Sequence, residues 1–167
     1  MRPERAADLR AALGASIDDL LGYFERRVGH REDAADLLAD TMLQAWRRCD
    51  ALPHEPERQR MWLFTIASNV LANQHRSNRR RRALVERLRS QLRQEEVPDP
   101  SEASEVRDSV ARLPDAQREL VMLVHWDGLS IVEAAGVLGL NASTARSRYS
   151  AAREQLRLAL TEVKAPR

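Results

Sequence analysis

One stretch of the chain carries a line of side chains suited to contact nucleic acid. Within residues 62–82 the line consists of Trp62, Asn69, Asn73, Arg76 and Arg80, separated by seven, four, three and four residues. These separations place the five side chains roughly along one side of a continuous helix. An indole stacks on bases, carboxamides hydrogen-bond base edges, and guanidinium groups bind phosphates. The line therefore predicts a surface that contacts both bases and backbone.

The same stretch also has a purely structural interpretation. Trp62 fits an apolar stripe with Leu63, Ile66 and Val70, so it is equally suited to a core. The asparagines are then residues of a fraying helix end, and the arginines favour the negative end of the helix dipole. The spacing alone leaves both interpretations open.

Charge is segregated along the chain. Residues 51–93 carry 10 basic and 3 acidic side chains, whereas residues 94–129 carry 3 basic and 9 acidic ones. Residues 130–167 are basic again, with 6 basic and 3 acidic side chains. Two basic zones separated by an acidic one predict two separate contacts with a polyanion, beside acidic surfaces that are free for another partner.

Composition and motif content exclude several classes of protein. No apolar run approaches the roughly 20 residues needed to cross a bilayer, and the charged start lacks a signal-peptide apolar stretch. Cys49 is the only cysteine, so no internal disulfide or cysteine-based zinc site can form. The four histidines have no metal-ligand spacing, and neither a phosphate-binding loop nor a nucleophile elbow occurs. We expect a cytoplasmic protein that is not inserted in a membrane, is not an enzyme and needs no cofactor or metal.

Apolar periodicity predicts four helices in the first half, over residues 4–13, 17–28, 33–48 and 57–78, with helical spacing again over 83–94. Ser16, with Asp19 three residues later, predicts a capping box at the start of the second helix. The third helix has an acidic side formed by Asp33, Asp36 and Asp40.

The acidic, proline-bearing segment after residue 94 has the composition of a linker. It divides the chain into an N-terminal domain at 1–94, a linker at 95–103 and a C-terminal domain at 104–167. The predicted fold class is all-α, with two small helical domains joined by a flexible acidic linker.

The second half predicts four short helices that include a helix-turn-helix. Pro114 suits a first helical position, Ser130 and Glu133 form a predicted capping box, and Asn141 is the predicted cap of the last helix. Small polar residues on the last helix allow close approach to a major groove, and its arginines reach bases or phosphates. The alternative is a three-helix packing unit whose last helix is merely solvated.

Three blocks of the chain together resemble the extracytoplasmic-function (ECF) sigma factors of bacterial RNA polymerase. DAADLLADTMLQAW at 33–46 is similar to the family's polymerase-binding helix. WLFTIASNVLANQHR at 62–76 is similar to the segment that melts and reads the minus-10 promoter element. The helix-turn-helix at 113–156 resembles the domain that reads the minus-35 element. The blocks occur in the family's order on either side of the linker.

The resemblance implies roles for named residues and partners. It implies a polymerase-binding surface made by Asp36, Asp40, Thr41 and Gln44. It implies a minus-10 DNA-binding surface made by Asn69, Asn73, Arg76, Arg79 and Arg80, in which the two asparagines hold a flipped-out base. It implies a minus-35 DNA-binding surface made by Thr144, Arg146, Ser147, Arg148 and Arg153. The expected partners are the polymerase core, promoter DNA and an anti-sigma factor. Trp62 is assigned mainly to the core, because the resemblance gives it no base.

Some positions depart from the family's pattern. Residues 1–15 are expected to be too short for the family's first helix. Ala134 stands where isoleucine is usual, Gly136 is a poor helix former, and Ala145 replaces the usual valine. These changes predict a looser C-terminal domain but remove no contact residue.

The main hypothesis is thus a promoter-specificity subunit, and the alternative is a stand-alone helix-turn-helix regulator. The alternative explains residues 113–160 but leaves the acidic helix at 33–46 without a role. A nucleotide-processing enzyme is a third class, and the chain shows no metal or nucleophile site for one.

Overall fold

The computed structural model describes residues 3–89 and 105–163, and this part of the chain contains helices and no β-strand. The α-helices are α1 (Pro3–Glu25), α2 (Arg31–Arg47), α3 (Pro56–Arg89), α4 (Glu105–Ala111), α5 (Asp115–His125), α6 (Ile131–Val137) and α7 (Ala142–Val163), with a short 3-10 helix at Cys49–Ala51. The predicted all-α fold class is confirmed.

The first helix differs from the prediction. Residues 3–25 form one helix of 23 residues, so the break predicted before Ser16 does not exist. Leu9, Leu13, Ser16 and Leu20 follow each other at helical spacing, and all four are buried. Ser16 is therefore a packing residue inside α1 and not a cap. The N-terminal half also has the long first helix that residues 1–15 alone appeared too short to supply.

Helices α1, α2 and α3 pack against one another around an aromatic centre. Tyr23 and Phe64 are fully buried, and their rings meet edge to face with centroids 5.6 Å apart. Helix α2 begins two residues before its predicted start and ends one residue before its predicted end. Helix α3 runs without a break from Pro56 to Arg89, so it joins the segments that periodicity predicted separately. The predicted helical residues 90–94 lie outside the described part.

Helices α5, α6 and α7 form the predicted helix-turn-helix unit, with α4 packed on α7. The Asn141 carboxamide oxygen accepts a hydrogen bond of 2.7 Å from the Thr144 backbone N–H, which confirms the predicted cap of α7. Gly139 has φ of 63°, so the tight turn before α7 needs a residue that tolerates the left-handed region. Pro114 lies at the N-cap of α5, one position before its predicted place.

The predicted capping box of α6 is confirmed. Ser130 Oγ accepts from the Glu133 N–H at 3.2 Å, and the Ser130 N–H donates to the Glu133 carboxylate at 2.7 Å. The hydrogen bonds from the Ser130 side chain and backbone hold the pKa of Glu133 below its usual range. Because the folded-state pKa is depressed, this stabilisation is complete above the unfolded-state pKa and is lost as the pH falls through the folded-state value.

Replacing the cap tests this reading. We expect Ser130→Ala to lower the free energy of unfolding by about 1 kcal/mol near neutral pH, because the backbone N–H of Glu133 loses its hydrogen-bond acceptor. The difference from the native chain should shrink as Glu133 is protonated at low pH. Urea unfolding followed by circular dichroism at several pH values measures it. Ser150→Ala, at an exposed position within α7, is the control, and an equal loss there would contradict the capping role.

The two halves of the chain pack against each other. A single buried cluster joins residues of α1–α3, such as Leu63 and Phe64, to residues of α5–α7, such as Leu120, Leu123 and Ala135. Helix α6 lies against α3. The predicted linker at 95–103 falls outside the described residues. The helical halves are thus in direct contact as well as being covalently connected.

Charged residues connect the halves at the end of α1. The Arg27 side chain is 3 % exposed and reaches Glu119 of α5 at 2.8 Å and Asp127 of the α5–α6 turn at 2.7 Å. The Asp127 side chain is completely buried and also pairs with Arg26. Arg60 of α3 donates to the Asp127 backbone carbonyl at 2.8 Å. These contacts fix the C-terminal half against α1 and α3.

Candidate nucleic-acid interface

Helix α3 separates a buried face from a polar one. The buried face includes Leu63, Phe64, Ala67 and Val70. Every residue predicted for the minus-10 surface is exposed; these are Asn69, Asn73, Arg76, Arg79 and Arg80. Trp62 is partly buried and packs against the core, which agrees with its assignment as mainly a core residue. The asparagines and arginines therefore share the exposed surface of α3, and the Trp62 indole is not part of that surface.

Asn73 is oriented by its neighbour one turn along α3. The Arg76 guanidinium donates a hydrogen bond to the Asn73 carboxamide oxygen. The oxygen is thereby engaged, and the N–H2 end of the amide is the part offered to an external acceptor. Acceptors of this kind occur on base edges, so the pair is suited to hold a base through Asn73 while Arg76 stays near phosphate.

Arg79 already has a carboxylate partner. Its guanidinium lies 3.5 Å from Asp115 of α5, and both side chains are mostly exposed. An exposed pair of this kind contributes little to stability. A phosphate group can therefore replace Asp115 as the partner of Arg79 at low cost.

The acidic side of α2 is exposed at Asp36 and Asp40, and Gln44 is half-buried. The prediction that Thr41 belongs to this outer surface is wrong. It is fully buried, and its hydroxyl donates to the Leu37 carbonyl at 2.8 Å, so it packs inside α2 and does not share the outer surface predicted for it. Leu43 is 47 % exposed beside these acids, an apolar contribution that the sequence reasoning missed.

A small groove links the acidic side of α2 to the polar face of α3. It has a volume of about 210 Å³ and is lined by Leu37, Asp40, Gln44, Val70, Asn73, Gln74 and Ser77. Two residues predicted to bind polymerase therefore lie beside one predicted to bind DNA. Periodicity within each helix gave no indication of this, because the groove depends on how α2 and α3 pack.

Helix α7 presents the third predicted surface. Arg146, Ser147, Arg148 and Arg153 are exposed, while Ala145 and Ala152 are fully buried on the opposite side. Thr144 is half-buried and its backbone N–H is used in the cap. On the inner side, the Tyr149 hydroxyl lies 2.8 Å from His125 Nε2, which ties α7 to the end of α5. The outer face of α7 is thus held rigidly and is rich in donors for a DNA groove.

A cleft of about 840 Å³ runs between the two halves. Its lining includes Arg27, His75, Arg76, Arg79 and Glu119. The buried network of Arg27, Glu119 and Asp127 at its edge was missed by the sequence reasoning. No pattern within either half signals it, because each partner looks like an ordinary surface charge in its own stretch of sequence.

The described residues contain no group of three or more His, Cys, Asp or Glu side chains placed to hold a metal ion. Among the same residues, no helix has the length and apolar character required to span a membrane.

Comparison with known proteins decides the family. Residues 15–81 match the family model "Sigma-70 region 2", and residues 103–156 match "Sigma-70, region 4". The ECF RNA polymerase sigma factor SigL of Mycobacterium tuberculosis is 30 % identical over 97 % of both chains. The chain belongs to the ECF sigma factors. This sigma factor is also 30 % identical to CnrH of Cupriavidus metallidurans, with 93 % of this chain and 95 % of CnrH covered.

Solved structures agree with this assignment. The sigma factor RpoE, in its complex with the anti-sigma factor NepR from Bartonella quintana, is 25 % identical and gives a TM-score of 0.67 over 92 % of this chain and 97 % of RpoE. CnrH in complex with the cytosolic domain of CnrY is 25 % identical, with a TM-score of 0.65 over 94 % of this chain and 89 % of the other. The two matched regions leave residues 82–102 between them.

Proposed function

We propose that this sigma factor brings core RNA polymerase to specific promoters and opens them, acting in the cytoplasm without catalysis of its own. The observation that carries the proposal is the exposure of three separate surfaces on one chain: the acidic side of α2, the Asn–Arg face of α3 and the outer face of α7. The proposed domains are 1–94 and 104–167, joined by a linker at 95–103.

The residue roles follow from chemistry and exposure. Asp36, Asp40 and Gln44 contact the polymerase, with the exposed Leu43 adding an apolar contact beside them. Asn69 and Asn73 hold an unstacked base of the minus-10 element, and Arg76, Arg79 and Arg80 bind its phosphates. Arg146, Ser147, Arg148 and Thr144 enter the major groove of the minus-35 element, with Arg153 near the backbone.

An anti-sigma factor is the proposed regulatory partner. The support comes from two similar proteins whose solved structures are complexes, RpoE with NepR and CnrH with CnrY. A protein that covers the exposed faces of α2 and α3 would block polymerase and DNA together, because the groove between Asp40 and Asn73 joins the two surfaces.

Transcription with purified components tests the function. Core polymerase plus this chain should initiate at genomic promoters that core polymerase alone ignores. If no genomic fragment supports specific initiation, the proposal is wrong.

Charge reversal on α2 separates the sigma role from that of a stand-alone regulator. We expect Asp40→Arg combined with Gln44→Ala to weaken binding to core polymerase by about tenfold or more, because like charge replaces a complementary one at the interface. Binding of α7 to minus-35 duplex should be unchanged. Asp18→Arg, an equal reversal at an exposed position of α1, is the matched control for titration of polymerase binding. Transcriptional regulation that survives the double substitution intact would favour the stand-alone regulator.

A further inference from the structure

The cleft between the two halves has the size and the charge of a site for a small anion. Its volume of about 840 Å³ lies within the roughly 300–1,000 Å³ that pockets for small molecules occupy. Its lining includes side chains that are cationic or become so on protonation, namely His75, Arg76, Arg79 and Arg118. The lining carboxylates are Asp33, Asp115 and Glu119, and Glu119 is already paired with Arg27. The cleft therefore has more cationic groups than free carboxylates.

Two arginines from opposite halves share one anionic partner in this cleft. One carboxylate oxygen of Asp115 lies 3.5 Å from Arg79 of α3, and the other oxygen pairs with Arg118 of α5. Because both oxygens belong to one small group, the two guanidinium groups are close enough for a single anion to bridge them. Phosphate oxygens match a guanidinium group in the same way as carboxylate oxygens do. Asp115 thus marks a position at which a phosphate group can bind.

The Asp115 carboxylate is a partner that an external anion can displace. The side chains of Arg79 and Asp115 are 80 % and 71 % exposed, so their pairing contributes little to stability. A phosphate group carries a charge of about −1.5 to −2, which exceeds that of a carboxylate. It therefore binds two guanidinium groups more strongly than Asp115 does. The displaced carboxylate stays in water, so no charge is left buried without a partner.

Further cationic groups of the cleft lie one turn earlier on α3. His75 and Arg76 precede Arg79 by four and three residues, so the three side chains lie on neighbouring positions of one helix side. Residues 75 and 79 are about 6 Å apart along the helix axis, which is more than one phosphate group can span. This spread favours a ligand with two or three linked phosphate groups over a single phosphate.

The cleft also has an apolar lining that suits the nucleoside part of a nucleotide. Leu71 is buried on α3 four residues before His75, so apolar and cationic groups follow each other along the same side of that helix. Val28 and Leu138 are half-buried and line the cleft from the α1–α2 connection and from the end of α6. Apolar side chains beside a few convergent polar groups are typical of small-molecule sites. Inorganic polyphosphate would leave these apolar groups in water.

We propose that this cleft is a binding site for a nucleoside polyphosphate. Arg79 and Arg118 hold one phosphate group, His75 and Arg76 contact the phosphate groups linked to it, and the nucleoside lies against Leu71. The site lies apart from the outer face of α7, and it uses side chains of both halves. Its existence does not rest on the proposed function, because the binding needs neither polymerase nor promoter DNA.

Isothermal titration calorimetry of the full chain in magnesium-free buffer tests the site. The probes are ATP, ADP, GTP and GDP, and we expect a one-to-one complex with at least one of them. Pyrophosphate and the matching nucleoside should each bind at least about tenfold more weakly, because each fills only part of the cleft. Absence of saturable binding by all four nucleotides would overturn the proposal. So would pyrophosphate binding as tightly as the nucleotide, which would indicate an adventitious ion only.

Two matched double variants separate a built site from general attraction to a basic helix. Arg79→Gln with Arg118→Gln should weaken nucleotide binding by about 30-fold or more, because both charge-assisted contacts to one phosphate are lost. Arg80→Gln with Arg81→Gln removes two arginines that are exposed on α3 but do not line the cleft. It should change the affinity by less than about threefold, since exposed charges outside the site are screened by salt. Equal losses in the two double variants would overturn the proposal.

A third variant should bind the nucleotide more tightly than the native chain does. Asp115→Asn frees the two guanidinium groups and removes a like charge from the site, so the affinity should rise by about three- to tenfold. Asp108→Asn is the control, because it removes an exposed carboxylate of α4 that does not line the cleft. Circular dichroism checks that the helices of each variant are intact. A weaker affinity in Asp115→Asn, or an equal gain in both variants, would contradict a phosphate site at Asp115 and overturn the proposal.

Discussion

Phe64→Ala is expected to lower the free energy of unfolding by about 3–5 kcal/mol, because it leaves a cavity at the centre of the N-terminal helices. Phe64 is fully buried, its ring meets Tyr23 edge to face, and the Arg60 guanidinium lies 4.8 Å from its centroid. The substitution therefore removes apolar burial, an aromatic pair and a cation–π contact together. Urea unfolding followed by circular dichroism measures the loss.

Leu43→Ala is the control for that measurement. Leu43 is a large apolar residue on α2 of the same half, but 47 % of it is exposed. Its truncation should cost less than about 1 kcal/mol, because little apolar area is returned to water. Similar losses for the two variants would show that Phe64 is not at the centre of the core.

Asn69→Ala and Asn73→Ala are each expected to slow promoter opening by about 10- to 100-fold, because a base held by an amide is worth roughly 1–3 kcal/mol. Binding to closed duplex should change much less, since the arginines that contact phosphate remain. Fluorescence of 2-aminopurine in the minus-10 element follows opening, and a mobility shift on duplex follows binding.

Asn78→Ala is the matched control for the two asparagines. Asn78 is exposed on the same helix, but its position is nine residues from Asn69 and therefore faces away from the Asn69–Asn73 line. It should leave opening unchanged. Equal loss of opening and duplex binding in the Asn69 and Asn73 variants would contradict a role in holding an unstacked base.

The position of these asparagines has a consequence for regulation. Asn73 shares a groove with Asp40 and Gln44, so one partner can contact the proposed polymerase and DNA surfaces together. Arg79 is paired with Asp115 across the two halves, so DNA binding to α3 competes with one exposed contact between the halves.

The sequence by itself determined the helices and their polar faces. Period-3.6 apolar spacing located α2 to within two residues and predicted the short helices of the second half, because each helix buries a single stripe. Cap chemistry placed the starts of α6 and α7, since Ser130, Glu133 and Asn141 act on backbone groups only three residues away. The exposed Asn–Arg face of α3 followed from spacing for the same local reason.

Tertiary structure decided the features that depend on distant residues. Ser16 resembled a cap, but its place in the buried stripe of α1 made it a packing residue, and burial likewise removed Thr41 from the predicted surface. The partners of Arg27 are 92 and 100 residues away, at Glu119 and Asp127. No local pattern reveals such a pair, because a charged residue has the same sequence neighbours whether its side chain meets water or an opposite charge. Only the packing of the two halves turned three ordinary charges into a buried ion-pair network.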